Sequence, residues 1–292
     1  PSDIKIRIIL PLITLRIFQG AFTQADYYLQ ICRQLAEVAD TTPLAMITLK
    51  DLEAFYDAAC GRCEQCRRKT EEALNQASAT GIHIVTPFIL AHGAAGALST
   101  GDPAAADRLL REMKPYAGHM GKWLRQYYHT LNTWRALLKK NLPEALFHAQ
   151  LMTTCAKEAG MVMSEPTARL GNALVGMAAG RLSEAEKDLD AAELLSRRMA
   201  SPHMEFACGL ARAELAEAVG DPVSARTALQ RAMAIGKAHE YTNVWFWRPD
   251  AMVRVCCRAL EAGIEVDYAQ NLISARGLIP ETPPIHIENW PW

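Results

Sequence analysis

A spacing of about 40 residues recurs along this 292-residue chain and constrains its fold more than any other feature. A turn-forming residue is followed five positions later by a small one: Gly20 and Ala25, Gly61 and Cys66, Gly101 and Ala106, Lys140 and Ala145, Gly180 and Ala185, Gly220 and Ala225. Successive turn residues are 41, 40, 39, 40 and 40 positions apart. Seven positions before each turn stand Ile13, Ala54, Ala94, Thr133, Ala173 and Ala213, again mostly small. Two antiparallel helices approach closely only where both side chains are short, so small residues at mirrored distances from a turn describe a helical hairpin. A hairpin of this size cannot bury its apolar face alone. Stacked neighbours make one continuous core and an extended curved surface.

Turn chemistry supports this register. Gly101-Asp102-Pro103 and Gly220-Asp221-Pro222 each read as a helix-ending glycine, a capping aspartate and a proline at the first helical position. Thr42-Pro43 and Ser201-Pro202 open later helices in the same way, and Pro166 falls in the first turn of another. The expected helices are one to residue 19, then 22–39 and 43–60, 62–80 and 84–99, 102–115 and 118–140, 142–159 and 164–179, 182–199 and 202–219, 221–239 and 246–262, and a short one at 266–276. No segment has strand period. The expected fold class is all-α: about seven helix-turn-helix repeats in a superhelix over residues 1–277, with 278–292 an extended linker toward a further domain.

Composition narrows the functional classes. With 31 basic and 32 acidic residues the net charge is −1, so the segment has no global attraction for nucleic acid or an anionic membrane. Eight cysteines fall within expected helices of a chain without a glycosylation sequon, which favours free thiols in a reducing cytoplasm. The apolar stretch from Ile4 to Phe18 is broken by Lys5, Arg7, Pro11 and Arg16, too often for a membrane span, and reads as a helix cut off from a neighbouring one. No phosphate-binding loop, nucleophile elbow or zinc-binding helix motif occurs, and the eight histidines are scattered, so no catalysis is expected.

The turn-to-small spacing resembles the tetratricopeptide repeat, which implies a right-handed superhelix whose first helices line the concave side. The period near 40 exceeds the usual ~34, so each helix is about one turn longer. Long repeats of this kind are similar to the helical sensor domain of the maltose-regulon activator and related large ATP-dependent bacterial regulators of the LuxR type. A second resemblance lies in Leu260-Glu261-Ala262-Gly263-Ile264-Glu265-Val266, Ile273-Ser274-Ala275-Arg276-Gly277-Leu278 and Glu288-Asn289-Trp290-Pro291-Trp292. It is similar to the junction that precedes a winged-helix domain of the bacterial transcriptional activator type. These resemblances imply an upstream ATPase domain and a downstream DNA-binding domain. The repeats themselves would receive a small-molecule inducer or a regulatory protein and relay it to self-association. ATP is implied only for the upstream domain, and no cofactor is expected in this segment. A peptide-binding scaffold without a transcriptional role is the alternative.

Counting back from each turn places candidate ligand-contact residues in the concave groove. Tyr127 and Trp134 point inward from one first helix, with Trp123 a turn further out. Aromatic faces there suit sugars, apolar effectors or peptide side chains, and packing between repeats is the other reading. Asp51, Phe55, Glu214, Glu217 and His203 share the inward positions and read either as ligand contacts or as ordinary solvated residues. This mostly apolar, aromatic and acidic set argues against a clamp for a C-terminal carboxylate. Trp245, Phe246, Trp247 and Arg248, before Pro249, read as a wedge for the last repeat or as a binding lip. Cys60, Cys63 and Cys66 have C-x2-C-x2-C spacing, which reads as packing thiols or as three ligands of a metal lacking a local fourth.

Overall fold

All six turn residues adopt a left-handed backbone, with φ of 74° at Gly20, 72° at Gly61, 81° at Gly101, 54° at Lys140, 72° at Gly180 and 78° at Gly220. Around Gly180 the amide of Arg181 donates to Gly176 O at 2.8 Å and that of Gly180 to Met177 O at 3.0 Å, the pair of bonds that closes a helix on a left-handed residue. Lys140 fills this role with a Cβ in an unfavourable conformation. Lys140→Gly is therefore expected to raise the unfolding free energy by about 0.5–1 kcal/mol, read as a higher urea midpoint with an unchanged slope.

In the computed structural model, residues 2–38, 41–116 and 118–279 are described, and they contain fourteen helices and no strand. These are α1 (Ser2–Gln19), α2 (Phe22–Val38), α3 (Pro43–Ala59), α4 (Cys63–Thr80), α5 (Thr86–Ser99), α6 (Pro103–Met113), α7 (Lys122–Leu138), α8 (Leu142–Ala159), α9 (Ser164–Ala178), α10 (Leu182–Arg198), α11 (Pro202–Ala218), α12 (Pro222–Ala238), α13 (Pro249–Glu261) and α14 (Val266–Arg276). Consecutive helices pair into seven hairpins. Thr42, Asp102, Ser201 and Asp221 cap the helices they precede, and Asn141 caps α8 through Glu144 N at 3.3 Å. The expected linker falls, from residue 280 onward, outside the described residues.

The mirrored positions are the cores of the hairpins. Ile13 and Ala25, Ala54 and Cys66, Ala94 and Ala106, Thr133 and Ala145, Ala173 and Ala185, and Ala213 and Ala225 are all buried. A methyl group added at Gly176 of α9 would lie 3.2 Å from Ala185 Cβ of α10, which shows how closely the two backbones pass. Ala185→Leu inserts three heavy atoms into that contact, and a loss of about 1–3 kcal/mol is expected by thermal or urea unfolding. Similar offsets around Gly263 give Cys256 and Tyr268 in the seventh hairpin, where a tyrosine takes the small-residue place and contacts Gly236 of α12.

The odd-numbered helices form an inner row in which α1 packs on α3, α3 on α5, α5 on α7, α7 on α9 and α9 on α11. The row comes full circle, because α11 also meets α1. Contact runs from the C-terminal end of α1 to the start of α11, where Ser201 Oγ donates to Phe18 O at 3.0 Å. One turn of the superhelix thus rises by about a helix length and encloses a narrow channel. On the far side of α1, Ile4, Ile8, Leu12 and Leu15 are exposed. The largest delays in a helix start are α7 at Lys122 instead of 118 and α13 at Pro249 instead of 246. The second shift has a physical reason, which is that the chain between α12 and α13 enters the channel.

Candidate functional site

Parallel inner helices bring their C-terminal ends together at one mouth of the channel. The last carbonyls of a helix have no partner within it, and here the α12–α13 segment supplies donors to them. Tyr241 OH donates to Gly20 O at 3.0 Å, beyond the end of α1. Thr242 Oγ1 donates to Cys60 O at 3.0 Å and Asn243 Nδ2 to Ala58 O at 2.8 Å, both at the end of α3. Asn243 Nδ2 also reaches Ser99 Oγ at 3.0 Å, at the end of α5.

The segment's own carbonyls are held in return by side chains. Tyr268 OH donates to Tyr241 O, Arg276 to Thr242 O at 2.9 Å, His203 Nε2 to Asn243 O at 2.8 Å and Trp134 Nε1 to Trp247 O at 2.8 Å. Arg276 additionally donates to Asn243 Oδ1 at 2.8 Å and to Ser99 O, and its guanidinium lies 3.9 Å from the Trp247 ring centroid. A cation at a helix C-terminus and over an indole face is favourably placed on both counts.

Deeper in, an aromatic cage surrounds Trp245. Phe18 lies parallel to its ring at 6.0 Å and Tyr127 meets it edge-on at 5.9 Å. Phe18 packs on Phe55 at 5.3 Å, Phe55 stacks on His92 at 4.2 Å, and Trp123 lies 6.0 Å from Tyr127 and 5.6 Å from Phe88. His92 Nδ1 bonds Asp51 Oδ1 at 2.7 Å, with both side chains buried. His92 Nε2 and Tyr127 OH are buried without a protein partner, and burial holds the Tyr127 phenol well above its ordinary pKa. The free space left along Phe55, Ala95, Trp134, Asn243 and Trp245 is only about 20 Å³, room for about one water.

Trp123, Tyr127, Asp51 and Phe55 therefore sit in or against this cage, while Trp134 and His203 grip the inserted segment. Glu214 and Glu217 lie apart. Glu214 pairs with Arg248 and with Arg254 at 3.6 Å, and Glu217 with Arg258 at 2.8 Å, so both carboxylates tie α11 to the last repeat. Burial lowers the His203 pKa to about 4, against a weaker upward pull from its bond to Asn243 O. The cysteine trio does not gather around one point. Cys66 Sγ contacts His92 O at 3.6 Å, whereas Cys63 Sγ turns back to Gly61 O at 3.5 Å. The residues that sequence reasoning did not select are Asn243, Arg276, His92, Ser99 and Tyr241. None occupies a repeat position that marks it, and their roles follow only from the path of the inserted segment. Trp245 to Arg248 do form a wedge, but within the channel.

Fold and channel together define a class: a tetratricopeptide-like helical repeat protein whose inner groove is filled by its own chain. A Rap protein, solved in complex with competence and sporulation factor, is similar in fold, with a TM-score of 0.69 over 95% of this chain and 78% of that chain at 11% identity. No family model and no curated protein matches the chain. No described helix is long and apolar enough to cross a membrane.

Proposed function

We propose that this chain is a non-catalytic binding domain of a signal-responsive regulator and that its inner channel receives an extended polypeptide segment of a partner. One observation carries the reading: the channel already holds a non-helical segment of its own chain by its main-chain carbonyls, through Arg276, His203, Trp134 and Tyr268. Side-chain donors directed at successive carbonyls recognise a backbone whatever its sequence, and an aromatic cage adds selectivity. The Rap protein, solved in complex with competence and sporulation factor, supports a recognition role for such an architecture. The regulator reading, with cytoplasmic location, flanking ATPase and DNA-binding domains and self-association as output, rests on the sequence resemblances.

A peptide library displayed against the full chain tests this. Selected peptides are expected to slow amide exchange in α3, α5 and α7 and to leave α4, α6 and α8 unchanged. Protection confined to the outer helices, or no binder at all, would reject it. A second reading, a small-molecule inducer, is favoured by the unpartnered His92 Nε2 and Tyr127 OH inside the aromatic cage. A metabolite that raises the melting temperature of the wild type but not of Tyr127→Phe would support that reading instead.

A further inference from the structure

Segment 241–247 makes a defined pattern of polar and aromatic contacts with the channel. At the mouth, three consecutive residues present a phenol, a hydroxyl and a carboxamide to helix-end carbonyls of α1 and α3. These carbonyls carry the partial negative charge of their helices, so the mouth accepts donors and repels carboxylates. Two residues beyond the carboxamide, Trp245 enters the cage of Phe18, Tyr127 and Phe55. The next residue, Phe246, is held at φ 59° although it is neither glycine nor asparagine. A bulky residue in the left-handed region is strained and persists only because its surroundings impose it. The segment is thus bound under tension: it has fixed recognition contacts at one end and backbone strain immediately after its anchor.

Resting on the reading that the channel receives a polypeptide, we infer that segment 241–247 is an internal competitor, and that the partner is an extended, non-acidic segment bearing an asparagine followed two residues later by a tryptophan or similar aromatic. Such a segment displaces 241–247 and takes over its contacts. A tethered occupant acts at an effective concentration of order millimolar. The apparent affinity of the intact protein for any partner is lowered by the fraction of molecules whose channel is open. Displacement also frees Arg276 and Tyr268 of α14 from Thr242 and Tyr241. Binding is thereby linked to the position of the last repeat, which is where a signal would leave the domain.

The test uses the full chain and a labelled peptide with the sequence of residues 239–248. Its affinity is measured by fluorescence anisotropy, and amide exchange of the protein is followed with and without peptide. The peptide is expected to bind Trp245→Gly at least tenfold more tightly than the wild type, because the internal anchor no longer competes. Replacing the peptide's asparagine by aspartate is expected to cost a further tenfold or more. In the wild type, saturating peptide should speed exchange at 241–247 while slowing it in α3 and α5. This second measurement needs no variant and decides the matter even where Trp245→Gly fails to fold. Equal affinities for wild type and variant, or a bound peptide that leaves 241–247 protected, would overturn the competitor. If library-selected peptides protect the inner helices without disturbing 241–247, the competitor fails while the channel reading stands. If neither kind of peptide protects the inner helices, both fail.

Discussion

Asn243→Ala is expected to lower the unfolding free energy by about 3 kcal/mol, an effect far larger than a loop substitution ordinarily produces. The side chain is buried and makes three hydrogen bonds, to Ala58 O, Ser99 Oγ and Arg276. Removing it leaves a helix-end carbonyl without that donor and a largely buried guanidinium without one of its acceptors. Loss of a neutral hydrogen bond costs about 1 kcal/mol, and loss of one to a charged group about 1.5–3 kcal/mol. Arg276 cannot relieve the deficit by losing its proton, although burial already lowers its pKa. Urea denaturation followed at 222 nm measures the difference. Asn243→Asp should be at least as damaging, because a carboxylate would face Ala58 O instead of an amide donor. A change below about 0.5 kcal/mol for both variants would show that these bonds do not hold the segment.

The hairpins were legible because each depends on a local rule. A glycine at φ near 75°, an aspartate cap and a small residue at fixed offsets are dictated by the backbone of one turn and of one helix pair. Lys140 was found at its turn only because Ala145 and Thr133 kept the register; in the seventh hairpin, whose two helices were expected, Tyr268 breaks the small-residue pattern. Candidate groove positions followed from the same count, and two of them, Trp134 and His203, contact the inserted segment. The occupant of the groove was not legible. Contacts between Asn243 and Ala58, or between Trp134 and Trp247, join residues 185 and 113 positions apart. They depend on the superhelix closing α1 onto α11 within one turn, a global quantity set by small rotations summed over repeats. Glu214 and Glu217 illustrate the same limit. Counted as groove-facing, they instead meet Arg248 and the arginines of α13.

Acidification provides the last large expected effect, and its direction follows from the buried histidines. His203, His129 and His148 all have pKa values lowered to about 4, by burial first and, for His129, by the neighbouring His148. A histidine whose folded pKa lies below its unfolded value takes up its proton more readily when unfolded. Its contribution is fully present above the unfolded value near 6.5 and is lost as pH falls toward 4. For the fully buried His203 the loss is about 2 kcal/mol between pH 7 and 5 and on the order of 3 kcal/mol by pH 4. His129 and His148, with Nδ1 atoms 3.0 Å apart, are partly exposed, so solvent screening reduces their share. The interval from pH 6.5 to 5 isolates the histidines, because most carboxylates remain ionised there in both states. His203→Gln retains an amide donor for Asn243 O and removes the titrating group, so its urea-derived stability should fall less steeply over that interval than that of the wild type. Parallel pH profiles for the two proteins would mean that His203 is not the group whose protonation the fold resists.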